Sequence, residues 1–268
     1  MTDMPDLAGF VEDCRLIRRT APVIHNITNY VAMSMSANAL LAIGASPLMS
    51  SESSEIEDIS RISSALVINI GCLEERQKEA MKIAARVASI SGKPWVLDPV
   101  GAGASRFRTD TARELAEMYG PSVIRGNASE IMALDGLDVA SRGVDSAHGS
   151  KAALEAATHV ARKFRTVVSV SGETDYITDG QKLIGICNGN AMMPVVTAMG
   201  CTASAITAAF ASVDGNFLRA AAFAMALMGV AGEKAAAISP GPGSLAMNFT
   251  DALYGLEPEE AAELVRYE

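Results

Sequence analysis

Short apolar runs alternate along the chain with longer segments whose apolar positions recur every three to four residues. PVIHN from Pro22, ASPLMS from Ala45, ALVINIG over Ala65–Gly71, PWVLDPVG over Pro94–Gly101, SVIRGN over Ser122–Asn127 and TVVSVSG from Thr166 read as strands. They lack the apolar/polar alternation of a half-exposed strand, so both faces are expected to be covered. Between them, helical patterns occupy Tyr30–Ile43, Ser54–Ser63, Leu73–Ser91, Arg108–Tyr119, Ser129–Leu134 and Gly149–Lys163. DYITDG and KLIGIC form a hairpin pattern around Asp179-Gly180. From Cys201 onward the chain reads as helical, interrupted at Ser239–Ser244, and Met1–Ala21 carries an amphipathic helical pattern.

Strand and helix in alternation predict an α/β fold with a mainly parallel central sheet and helices on both faces. No composition break or linker divides the 268 residues, so one domain over 1–268 is expected. In such sheets ligands bind beyond the carboxyl ends of the strands. The strand-to-helix turns at Asn26–Asn29, Pro47–Ser50, Asp98–Gly103, Arg125–Asn127, Ser171–Glu173 and Thr197–Cys201 are therefore where chemistry is expected.

Composition narrows the partners. Lys and Arg number 22 against 31 Asp and Glu, a formal charge of −9, which disfavours nucleic acid and anionic membranes. Aromatics are 5% of residues, so the core must be built from aliphatic side chains, Ala and the 14 Met. The longest apolar run, Ala220–Gly232, is shorter than the roughly 20 residues of a membrane span and reads as a buried helix. The Ala- and Met-rich helices, this one included, are also a candidate oligomer surface. Four dispersed cysteines and three scattered histidines give no zinc spacing, and free thiols suit a cytoplasmic location.

Several motifs carry candidate chemistry. No GxxxxGK[ST] occurs. GPGSLA at Gly241–Ala246 follows a helical stretch rather than a strand, so it reads as a helix start, not a dinucleotide fingerprint. In TAMGCTASAITAAF, over Thr197–Phe210, a glycine opens a helix of small residues. The free N–H groups of such a helix start attract phosphate. Cys201 stands in that first turn, where a thiol pKa is expected to fall; a packed small side chain is the other reading. NASE at Asn127–Glu130 fits either a carboxylate that holds Mg²⁺ through water or a capping box. Arg125 ends a strand where its fork could grip phosphate, and Asp98 ends another as a site carboxylate or a turn former.

Taken together, HNITNYVAMSMSANALLAIGASPLMS, LVINIG, VLDPVGAGAS, VIRGNASEI, RGVDS, SGETDYITDG, MGCTASAITAAF and GPGSLAMNFTDALYGL resemble the hydroxyethylthiazole kinases, members of the ribokinase-like superfamily. The resemblance runs in the same order from about Pro22 to Leu256. It implies a three-layer α/β/α sandwich. It also implies ATP- and Mg²⁺-dependent phosphorylation of the primary alcohol of 4-methyl-5-(2-hydroxyethyl)thiazole in thiamine salvage, by a homotrimer with active sites between subunits.

By the same resemblance, Met49 and Ala198 contact the thiazole, with Asn26 and Thr28 near that pocket. Arg125 and Ser171 contact ATP, and Glu130 with Asp98 faces the Mg²⁺–phosphate region. Cys201 takes the place of the Asp that acts as base in most ribokinase-like kinases. Two positions depart from the family pattern: Ala198 stands where Gly is common, adding a methyl beside the substrate, and Ser171 stands where Thr is frequent, keeping the hydroxyl. Two other readings are another ribokinase-like vitamin-precursor kinase, which would usually carry Asp at the place of Cys201 and lack HNITNY, and a non-catalytic binding homologue.

Overall fold

A computed structural model describes residues 6–137 and 146–268. Among the described residues eight strands form one sheet: β1 (Val23–Ile27), β2 (Ser46–Met49), β3 (Ala65–Asn69), β4 (Trp95–Asp98), β5 (Val123–Asn127), β6 (Val167–Ser171), β7 (Asp175–Thr178) and β8 (Leu183–Ile186). Their spatial order is β2-β1-β3-β4-β5-β6-β7-β8. Pairing is parallel from β2 through β6 and antiparallel for the terminal pair. The predicted hairpin is thus an addition at one edge, and β2 is the other edge.

Eleven helices among the described residues cover the sheet: α1 (Leu7–Thr20), α2 (Met33–Ala42), α3 (Ile56–Ile62), α4 (Glu75–Ile90), α5 (Arg106–Tyr119), α6 (Ala128–Asp135), α7 (Ser146–Phe164), α8 (Met199–Ala211), α9 (Phe217–Ala237), α10 (Pro242–Gly255) and α11 (Pro258–Leu264). The apolar strands explain why both faces need cover. In β3, Ala65 and Val67 join the core made with α1, α2 and α8–α11, while Leu66 and Ile68 join the core made with α4–α7. Side chains alternate between faces with a period of two, so one uniformly apolar strand feeds two cores. The result is the expected three-layer sandwich.

The first core is built on aromatic contacts as well as small residues. Phe10 of α1 meets Phe223 of α9 at 5.4 Å between ring centroids, edge to face, and lies 6.2 Å from Phe210 of α8. The sequence-level reading of Ala220–Gly232 as an oligomer surface is corrected: every residue of that stretch is buried within the chain. α9 is long and apolar enough to cross a membrane, but its apolarity is used against α8, α10 and the sheet. Ala lets these helices approach closely, and that is why the run is so poor in bulky side chains.

Smaller differences have local causes. The segment read as a helix from Tyr30 becomes α2 only at Met33, because the Asn29 side chain accepts the Ala32 N–H and forms a turn first. α5 begins earlier than expected, at Arg106, with Ser105 accepting the Arg108 N–H as its cap. GPGSLA does open a helix, with Gly241 capping α10. The RGVDS segment lies outside the described residues except for Ser146.

Candidate active site at the carboxyl ends of the strands

Parallel pairing brings the ends of β1, β3, β4 and β5 side by side, and the start of α8 closes over them. Each strand delivers a polar residue where its apolar run stops: Asn69 from β3, Asp98 from β4 and Arg125 within β5. The turn after β1 delivers Asn29, and α8 delivers Cys201 and Ser204 one turn apart.

These groups are joined by hydrogen bonds. Asn29 Nδ2 donates to Cys201 Sγ at 3.3 Å and to Asn69 Oδ1 at 2.9 Å. Asn69 Nδ2 donates to Asp98 Oδ2 at 2.6 Å, and Ser204 Oγ donates to the same oxygen at 2.8 Å. Asp98 is 1% exposed. Burial pushes its carboxyl up to about 6; the Arg125 charge and its two donors act the other way, and Glu130 adds to the rise.

Arg125 is buried, and its Nε has no hydrogen-bond partner among the described residues. Its charge is felt by Asp98, Asp175 and Cys201. The guanidinium lies on the backbone of Gly200, where a Cβ would stand 2.6 Å from Nη1. A buried guanidinium with an open N–H, set against a helix start, is an anion cradle in which fork and backbone N–H groups act together.

The expected low pKa of Cys201 is corrected. Burial pushes the thiol up to about 11, with the Asp98 carboxylate adding to the rise; the Asn29 and Asn69 amides and Arg125 oppose it only in part. A helix start lowers a thiol pKa when water also reaches the sulfur, and here desolvation of the thiolate outweighs the dipole.

Glu130 makes the capping box: Asn127 Oδ1 accepts the Glu130 N–H at 3.0 Å, and Glu130 Oε2 accepts the Asn127 N–H at 2.8 Å. Its Oε1 accepts the Gly101 N–H at 2.9 Å, tying the β4–α5 turn to α6. Both oxygens are thus partly used, leaving lone pairs suited to a water of a hydrated cation. Among the described residues no three His, Cys, Asp or Glu side chains converge as a metal site. A Mg²⁺ held chiefly by phosphate oxygens and water fits this arrangement; an all-protein cage does not.

The remaining predicted residues lie along the same edge of the sheet. Ser171 ends β6 in register with Asn127, its Oγ donating to the Gly126 carbonyl at 3.5 Å. Met49 ends edge strand β2, in register with Asn26 of β1. Asn26 and Thr28 are buried, and Asn29 is the member of HNITNY that meets the Cys201 sulfur. Ala198 is the N-cap of α8 and adopts φ +67, ψ 1, in the left-handed region. That conformation strains any residue with a Cβ, which gives a backbone reason for Gly at this place.

Sequence reasoning missed Asn29, Asn69, Ser204 and Arg108. Asn69 was visible as the one amide in the apolar run ALVINIG, and Ser204 as the residue three after Cys201. Arg108 left no such signal. Its guanidinium donates to the carbonyls of Ile70, Gly71 and Val100, pinning two site turns together.

Comparison with known proteins decides the family. The model of the "Hydroxyethylthiazole kinase family" matches residues 14–259. A hydroxyethylthiazole kinase of Brachyspira hyodysenteriae is 51% identical over 250 residues, 93% of this chain and 94% of that protein. The chain belongs to the hydroxyethylthiazole kinase family. Another such kinase, of Syntrophus aciditrophicus, is 50% identical over 94% of each chain. The solved hydroxyethylthiazole kinase structure of Pyrococcus horikoshii superposes with a TM-score of 0.90 at 37% identity, covering 97% of this chain and 98% of that one. A pyridoxal kinase of Staphylococcus aureus, solved with AMP-PCP and pyridoxal, shares the fold at a TM-score of 0.59 and 16% identity over 79% of this chain and 87% of that one.

Proposed function

We propose that the chain transfers the γ-phosphoryl group of ATP to the primary alcohol of 4-methyl-5-(2-hydroxyethyl)thiazole, giving the thiazole phosphate and ADP, in thiamine salvage. The observation that carries the reading is the Gly200–Arg125 contact beside Cys201. It sets a candidate anion cradle next to a thiol whose thiolate, a minor form at neutral pH, can accept the alcohol proton. Phosphoryl transfer asks for that pairing: positioning and charge stabilisation, with little demand for a strong nucleophile.

In this reading Arg125 and Ser171 hold the nucleotide, and the first N–H groups of α8 take up the charge on the transferred group. Met49 and Ala198 bound the thiazole, and Cys201 receives the alcohol proton. With the thiol up at about 11, the reacting thiolate is a minor form at neutral pH. A loose transition state tolerates this, because the alcohol keeps its proton until late. Glu130 would hold Mg²⁺ through water, with the buried Asp98 adding negative charge behind it; bound there, the ion screens the phosphates. The reading further takes the chain as one ribokinase-like domain in the cytoplasm, working as a homotrimer with sites shared between subunits.

The test is ADP release by the purified protein with ATP, Mg²⁺ and the thiazole alcohol. Turnover should require that alcohol, and pyridoxal or hydroxymethylpyrimidine should not replace it. Equal turnover with either one overturns the substrate assignment. Light scattering should return about three times the 28.0 kDa chain mass; a monomer at micromolar concentration removes the shared sites.

A further inference from the structure

The two amides between Asp98 and Cys201 have a fixed polarity. An Asn side chain can in general be turned either way round, but here backbone donors decide the matter. The Ala32 N–H donates to Asn29 Oδ1 at 3.0 Å, so Asn29 must present Nδ2 on its other side. The Gly71 N–H donates to Asn69 Oδ1 at 2.9 Å, so Asn69 must present Nδ2 to Asp98. Asn69 Oδ1 then also accepts from Asn29 Nδ2. The second proton of that Nδ2 is left for the Cys201 sulfur.

Packing locks the same arrangement. A Cβ on Gly71 would lie 2.7 Å from Asn29 Nδ2 and 3.0 Å from its Cβ and Cγ, so the Asn29 side chain rests on bare backbone. Asn29 and Asn69 are both buried. The Asn69 amide also faces the Cys201 sulfur, and beyond that it holds the Asn29 amide that donates to the same sulfur.

We propose that Asn69 is a positioning residue: anchored by the Gly71 N–H and Asp98, it holds the Asn29 amide so that an N–H is aimed at the Cys201 sulfur and favours its anionic form. The role of that sulfur in turnover rests on the reading given under Proposed function, whereas the amide geometry does not.

The test uses the full-length protein and three variants, Asn69→Ala, Asn29→Asp and Gly71→Ala. Asn29→Asp keeps the acceptor for Ala32, removes the donor and adds a negative charge beside the sulfur; Gly71→Ala displaces Asn29 with no change of charge, so it isolates the geometric effect. Alkylation of Cys201 by iodoacetamide at fixed pH is followed by peptide mass spectrometry, with half-buried Cys187 as the internal control. The Cys201 rate should fall roughly tenfold in each variant, the factor one hydrogen bond to a charged group supplies, while Cys187 reacts unchanged. For the thiazole alcohol, kcat should fall with the KM for ATP unaltered. The Asn29→Asp, Asn69→Ala double variant should be no slower than the more impaired single one, since Asn69 acts chiefly by holding the Asn29 amide on the sulfur. Wild-type Cys201 reactivity in folded Asn69→Ala or Asn29→Asp, or effects that multiply in the double variant, overturns the proposal. If Cys201 reactivity shifts as expected but the wild type lacks thiazole-dependent turnover, the positioning role stands and the proposed function falls.

Discussion

Gly200 lies so close beneath the Arg125 guanidinium that a Cβ at residue 200 would stand 2.6 Å from Nη1. The guanidinium is the flexible end of a side chain, so a methyl there would push it aside rather than break the fold. Gly200→Ala should therefore raise the KM for ATP about tenfold or more. Its melting temperature should hold or rise, since Ala in a helix is favoured over Gly by about 1 kcal/mol. Steady-state kinetics with a thermal melt check both halves; unchanged ATP affinity would remove Arg125 from the nucleotide site.

Ala198 pays for a left-handed conformation at φ +67. Ala198→Gly relieves that strain, about 1 kcal/mol, and should raise the melting temperature by roughly 2–4 °C. Use of the thiazole alcohol should be retained or improved. A stable but inactive Ala198→Gly variant would mean that the methyl itself shapes the pocket.

For Cys201, a thiol at about 11 implies a thiolate fraction that grows tenfold per pH unit across the neutral range. If that thiolate takes the alcohol proton, kcat/KM for the alcohol should keep rising from pH 7 to 9 with no plateau near the ordinary thiol value. Cys201→Ala should lose this rise and drop kcat by about 10²-fold with little change in KM. Cys201→Asp should remain active without the rise. A wild-type profile identical to that of Cys201→Ala reduces the cysteine to a packed helix start.

Met49 sits at the end of the edge strand, half-buried. Its flexible thioether suits a sulfur heterocycle. Met49→Ala should raise the KM for the alcohol about three- to tenfold and leave that for ATP alone. Equal effects on the two substrates would assign Met49 to packing.

Away from the site, Asp13 of α1 is buried near Asp214, and its Oδ2 has no hydrogen-bond partner among the described residues. Burial, then the Asp214 charge, raises its carboxyl from 3.8 to about 6, against the pull of Arg219. The folded state thus binds the proton more tightly than the unfolded one. This contribution is full below about pH 4 and is lost as pH rises through about 6. Asp13→Asn should be more stable than wild type at pH 7–8 by on the order of 2 kcal/mol, with the gap closing toward pH 4. Denaturant titrations at both pH values measure it; a gap that does not vary with pH rules out this carboxyl as its source.

The order of strands and helices, the parallel sheet and the covered faces were all legible in the sequence, because apolar periodicity records which faces meet water. So were the strand ends that carry Asp98 and Ser171, since polar residues interrupt apolar runs where strands stop, whereas Arg125, expected at a strand end, lies in the middle of β5. The capping box of Asn127 and Glu130 was legible too, being a contact between residues three apart.

Tertiary structure decided the rest. Asn29, Asn69, Asp98 and Ser204 are up to 175 positions apart in the chain, and only the register of β1, β3 and β4 beneath α8 makes them one hydrogen-bonded chain. The Cys201 thiol shows the difference most plainly. Its place at a helix start, readable from local sequence, predicted a low pKa; its burial, set by everything packed around it, pushed the pKa up to about 11. Local sequence fixes dipoles and caps, whereas desolvation depends on how much of the folded chain stands between a group and water.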